Sequence, residues 1–168
     1  MYETPAFIAG EPGASEKFGE HHRIETHLIP NVLFVALGKK ANCEIYGTDY
    51  PTPDGTCIRD YVHVNDLAGA HVKALEYLES GKPSLAANLG TGAGASVQQV
   101  ISAVEKVTGK RVPYKIVPRR AGDPPALVAN PAKAQATLNW EAAHGLDNIV
   151  STAWNFMQRC TKLHSEKR

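Results

Sequence analysis

An excess of charge of either sign, cysteines in pairs and long apolar runs are all missing from this chain. Its 168 residues carry 18 Lys and Arg against 17 Asp and Glu, a formal net charge of +1. That balance excludes the basic footprint of a nucleic-acid or anionic-membrane binder. The most basic cluster, Lys162, Lys167 and Arg168, sits in a tail that reads as solvated. The three cysteines, Cys43, Cys57 and Cys160, are odd in number and lack paired metal-ligand spacing, which excludes a disulfide framework. A reducing, cytoplasmic compartment is the corresponding expectation. No apolar run reaches membrane length, and the amino terminus lacks the basic-then-apolar order of a signal peptide. What is present, 43% hydrophobic and 21% charged residues, is the balance of one globular domain.

Along the chain, residues 1–18 read as an irregular segment, rich in Gly, Ala, Glu and Ser and without a period. From Thr26 the pattern sharpens. Leu28, Ile29, Val32, Val35 and Ala36 recur at helical spacing, and Gly38 marks the helix end. Cys43–Tyr46 reads as a short strand, and an apolar strand is expected around Tyr61, Val62 and Val64. A helix follows Asn65-Asp66, with Leu67, Ala70, His71, Ala74, Leu75 and Leu78 on one face. Residues 84–89 read as another strand. Ser96 is placed to cap a helix carrying Val97, Val100, Ile101 and Val104 and closing at Gly109. Residues 112–117 alternate as a strand, Asn130-Pro131 opens a short helix, and Leu146, Ile149, Val150, Ala153, Trp154 and Met157 stripe the last one. The class is α/β, with a polar tail at 161–168.

The stretch from Gly47 to Asp66, GTDYPTPDGTCIRDYVHVND, concentrates the chemistry. Pro51 and Pro53 each fix their own φ, and Asp54-Gly55 is a turn signal, so Arg59 leaves a stiffened loop. A guanidinium held that way suits a bidentate acceptor such as a phosphate or carboxylate. Taken alone, Arg59 is equally well explained by an ion pair to Asp60 or Asp66, and Arg120 by one to Asp123.

The same stretch closely resembles NAD-dependent UDP-glucose 4-epimerases, extended members of the short-chain dehydrogenase group, and the likeness runs from about Gly19 to Trp154. ETHLIP at Glu25–Pro30 is similar to the segment opening the helix beneath the sugar nucleotide, which implies His27 and Leu28 near the pyrophosphate. EIYGTDYPTPDGT resembles the uracil-binding strand and loop, so Glu44, Ile45 and Tyr46 would line the base, Tyr46 as an aromatic wall. The resemblance further implies pyrophosphate on Arg59. PRRAGD resembles a second clamp, with Arg120 on phosphate and Asp123 on the ribose hydroxyls, and Leu127 stands where sugar size is set. By resemblance, 19–160 is the substrate-binding region of an extended short-chain dehydrogenase. It includes elements that normally pack on the Rossmann domain, while the main Rossmann half is absent.

The family's hydride chemistry needs a dinucleotide cradle and a Tyr-x-x-x-Lys pair. None of the six tyrosines has lysine four residues later. The resemblance therefore implies NAD for the family but none for this chain alone, and no catalytic residue here. Gly90-Thr-Gly92-Ala-Gly94-Ala95 formally fits G-x-G-x-x-A, but no acid follows at the expected distance, and a tight structural turn capped by Ser96 is the reading. His21, His22 and His27 with Glu20 and Glu25 lack the i, i+4 histidine pair of a zinc helix. Cys57 lies beside Arg59, which could lower its pKa, yet it reads as a small loop residue. Ala6-Phe7 replaces an aromatic-Asn pair, removing one family contact. The expected ligand is a UDP-sugar. The expected partners are a separate dinucleotide-binding half or a second copy, docking through apolar faces that include Leu75, Leu78 and Leu89. A non-catalytic UDP-binding or interaction module, or a piece of another nucleotide-sugar epimerase or dehydratase, are the alternatives.

Overall fold

Helices α1 (Leu28–Ala36), α3 (Val97–Thr108) and α5 (Leu146–Ser165) form the first packing unit of the computed structural model, which describes residues 25–165. Each has an apolar stripe at helical spacing, and the stripes meet: Val32, Leu33, Val100, Val104 and Val150 are completely buried. Burying one such side chain contributes about 1.5–3 kcal/mol, which outweighs the weak helix propensity of the β-branched residues. α3 begins on a capping box, in which Ser96 Oγ accepts from Gln99 N at 3.1 Å and Gln99 Oε1 accepts from Ser96 N at 2.8 Å. It ends on Gly109 in the left-handed region at φ 66°.

Strand β1 (Cys43–Tyr46) pairs in parallel with β4 (Tyr114–Val117), and Cys43 and Ile45 join the helical core. A second sheet has the order β3-β2-β5. In it β2 (Ile58–Arg59) runs antiparallel to β3 (Ala95–Ser96) and parallel to β5 (Ala126–Leu127). Helices α2 (Val64–Glu79) and α4 (Ala132–Leu138) enclose a smaller core of Val62, Ala70, Ala134 and Trp140. Asn130 Oδ1 receives the Ala132 amide at 3.0 Å, as its place before Pro131 suggested. No helix among the described residues is long and apolar enough to cross a membrane.

Three sequence expectations are corrected. The strand expected around Tyr61–Val64 is not formed: the strand lies earlier, at Ile58–Arg59, and Val64 is already helical. His63 caps α2, its Nδ1 accepting from Asn65 N at 3.1 Å, so the apolar run is a buried approach to a helix. Residues 84–89 are extended but form no strand, because no neighbouring strand supplies a ladder. Helix α5 runs on through Ser165, into the segment read as a tail. Residues 1–24, which include Ala6-Phe7, Glu20, His21 and His22, lie outside the described residues.

Candidate nucleotide clamp

The parallel pairing of β1 and β4 sends their following loops off the same end of the ladder. Gly47 N donates to Val117 O at 2.9 Å, which joins the two loops at their roots. Arg119 then crosses over Gly47: a Cβ there would stand 2.5 Å from Arg119 Cγ and 3.0 Å from Tyr50 Cε2, and the φ of +86° disfavours any side chain. The Arg119 guanidinium lies 4.1 Å from the Tyr50 ring centroid, and its Nε donates to Asp49 Oδ1 at 2.6 Å. Arg120 lies 3.9 Å from the Tyr46 ring centroid, and Tyr46 Oη donates to Glu44 Oε2 at 2.6 Å. Two adjacent arginines thus cover two aromatic rings of the opposite loop.

Arg59 enters from the second sheet. Ile58 N donates to Pro125 O at 2.8 Å and Arg59 is in register with Leu127, which draws the end of the same 118–125 loop alongside β2. Arg59 Nη1 donates to Ile58 O at 2.7 Å and Pro124 O at 3.0 Å, while Nη2 donates to Asp123 Oδ1. Both charged side chains are about three-quarters buried, at 21% and 27% exposure, so the pair is held in a partly desolvated setting. Asp123 is the partner of Arg59. Asp66 is instead held by His144, and Asp60 accepts from backbone and hydroxyl donors.

The structure brings Glu44, Tyr46, Arg59, Arg120, Asp123 and Leu127 onto one set of linked loops. Ile45 belongs to the same strand, but its side chain is 1% exposed in the core, which leaves only its backbone for a ligand. Leu127 is 45% exposed. His27 and Leu28 stand elsewhere, at the start of α1, where Glu25 Oε1 accepts from His27 N at 2.8 Å and lies 2.7 Å from His27 Nδ1.

Electrostatics follow this packing. Arg119 holds the Asp49 carboxyl below the usual carboxylate range, chiefly through its hydrogen bond. Burial pushes the Cys57 thiol up and outweighs the opposing pull of Arg59, so the lowered pKa that its neighbour suggested is not what the fold produces. Burial also raises Asp54, but hydrogen bonds from Ser96 Oγ, Thr56 Oγ1 and Thr56 N together hold it below the usual range.

The glycine-rich turn is structural. Asp60 accepts from Thr91 N at 3.0 and 3.1 Å, from Thr91 Oγ1 at 2.5 Å and from Gly92 N at 3.3 Å. The amides that a dinucleotide diphosphate would need are already donating to a carboxylate, so this turn does not fit NAD. The same carboxylate accepts from Ala129 N at 3.2 Å, linking the turn to the strand that carries Leu127.

Sequence reasoning missed Arg119, Tyr50 and the Asp60 hub, all within the motifs it had singled out. It also missed a buried cluster at the start of α2. There His63 stacks on His144 at 4.4 Å between ring centroids, and Asp66 Oδ2 accepts from His144 N at 3.0 Å. Only Trp140, whose Nε1 donates to Asp66 O at 2.7 Å, carried a signal, as a large residue beside a short helix.

Comparison with known proteins accounts for most of the chain. Residues 14–153 match the family described as GDP-mannose 4,6 dehydratase. A UDP-glucose 4-epimerase of Lacticaseibacillus casei is 49% identical over 139 residues, covering 82% of this chain and 42% of that protein. One of Corynebacterium glutamicum is 50% identical over 145 residues, covering 86% and 44%. The crystal structure of UDP-glucose-4-epimerase from Stenotrophomonas maltophila, with bound NAD and formylated UDP-arabinopyranose, superposes with a TM-score of 0.88 at 40% identity, over 94% of this chain and 47% of that one. The enzyme from Brucella ovis in complex with NAD gives 0.81 at 46% identity, over 89% and 46%. The chain thus spans less than half the length of these relatives.

Proposed function

Because this chain belongs to the GDP-mannose 4,6 dehydratase family and is a partial counterpart of UDP-glucose 4-epimerases, we propose that it is the UDP-sugar-binding portion of such an enzyme, acting in the cytoplasm in nucleotide-sugar metabolism and catalytically silent as an isolated chain. The observation that carries this reading is the convergence of Arg59, Arg120, Asp123 and Tyr46 from three separate loops. Two guanidiniums match the two charges of a pyrophosphate, a carboxylate accepts from adjacent ribose hydroxyls, and an aromatic ring offers a wall for the base. Glu44, the Ile45 backbone, Leu127, His27 and Leu28 complete the proposed contacts. The hydride chemistry of an epimerase calls for a Tyr-x-x-x-Lys pair that these 168 residues do not contain.

A second reading has its own support. The outer face of α2 exposes Val72, Leu75 and Leu78 at 50–57%. Beside it a groove of about 320 Å3 is lined by Ala74, Leu78, Leu85 and Leu89 among others. Leu89 is half-buried there, whereas Leu75 and Leu78 are open. Such a face suits a separate dinucleotide-binding chain or self-association, with this chain as a binding module.

Calorimetric titration of UDP into the chain and into Arg59→Ala tests the proposal. Saturable binding, weakened roughly ten- to a hundredfold in the variant by loss of a charge-assisted bond of about 1.5–3 kcal/mol, is expected. No heat from a chain shown to be folded would sink the claim that the clamp binds by itself.

A further inference from the structure

The Tyr50 hydroxyl is the one buried side-chain polar atom among the described residues that has no hydrogen-bond partner. The residue is otherwise fixed on every side. It is 4% exposed, its N donates to Gly55 O at 2.9 Å, its O accepts from Thr52 N at 2.8 Å, and its ring lies under Arg119. Gly47 supplies the space that lets ring and guanidinium meet. A buried hydroxyl without a partner is costly, and a fold that fixes one so firmly has a use for it in another state.

The acceptor within reach of its field is Asp123. After burial, the Asp123 carboxylate is the next largest influence raising the phenol's pKa, while Arg119 and Arg59 oppose it, so these groups face the hydroxyl. Asp123 is engaged by Arg59 Nη2 in this structure. A pyrophosphate competes for that guanidinium, and a carboxylate that loses its cation in a partly buried site needs a new donor.

We propose that Tyr50 is a positioning residue of the clamp: when a nucleoside diphosphate draws Arg59 from Asp123, the Tyr50 hydroxyl donates to the released carboxylate and holds it toward the ribose diol. A carboxylate has about four lone-pair directions, so Asp123 can accept from Tyr50 and from the diol together. The idea rests on the nucleotide-sugar reading above and adds to it a swap of partners on binding.

Calorimetric titration of UDP into the full chain, Tyr50→Phe, Asp123→Ala and the double variant tests it, with thermal melts of each. Tyr50→Phe is expected to weaken UDP about tenfold, the equivalent of one hydrogen bond to a charged group. Its melting temperature should be unchanged or higher, because the ring stays and only an unpartnered hydroxyl leaves. In the Asp123→Ala background the same change should cost nothing more, a split that a merely structural tyrosine would not produce. Wild-type binding that Tyr50→Phe leaves intact overturns the inference and spares the nucleotide reading. So does an equal loss in both backgrounds. A folded wild-type chain that takes up no UDP overturns both.

Discussion

Replacing Asp60 with alanine should cost this fold more than its partly exposed position suggests. The carboxylate gathers four donors from two distant segments: the Thr91 amide and hydroxyl, the Gly92 amide and the Ala129 amide. Water can replace it for the exposed Thr91 and Gly92 groups, at about 0.5–1 kcal/mol each. The Ala129 amide is partly buried beside β5, and leaving it unsatisfied costs about 1–3 kcal/mol. The sum is roughly 3 kcal/mol, which for a chain of this size lowers the melting temperature by roughly 6–12 °C. Urea denaturation followed by far-ultraviolet circular dichroism measures it, with melting as a second readout. A loss under about 0.5 kcal/mol, the range of an ordinary surface substitution, would refute the hub.

Two further outcomes are expected. The Asp54 carboxyl titrates below its ordinary range, so its stabilisation is fully present above about pH 4 and fades as the solution is acidified through the lowered value. The melting-temperature gap between wild type and Asp54→Asn should therefore be widest near neutrality and narrow below pH 4; a gap that widens on acidification contradicts the hydrogen-bonding argument. Leu75→Lys with Leu78→Lys should reduce self-association in light scattering while moving the unfolding free energy by less than about 0.5 kcal/mol, since both side chains are already half in water. A large loss of stability would mean the face is packed in the free chain.

Much of the scaffold was legible because its signals are local. Ser96, Gln99 and Gly109 write the start and stop of α3 within fourteen residues, and the spacing of Leu28 to Ala36 marks α1. Legibility failed where the deciding partner is remote. Residues 84–89 have strand-like composition but no neighbour to pair with, and a histidine cap such as His63 is outside the usual set of Ser, Thr, Asp and Asn. The clamp shows the same division. Its residue types could be picked out of the motifs, but which arginine covers which tyrosine depends on the parallel register of β1 with β4. No local pattern in PRRAGD reveals that Arg119 reaches Tyr50 and Arg120 reaches Tyr46.

The contacts closing the clamp join residues far apart in the chain: 64 positions separate Arg59 from Asp123, and 70 separate Asp49 from Arg119. Long loops of this kind are entropically expensive to close before the helical core exists, so these contacts belong to the late side of the folding barrier. Interactions absent from the transition state govern how fast a protein comes apart and have little influence on how fast it assembles. A ligand seated between these loops would lengthen the lifetime of the folded chain without hastening its formation.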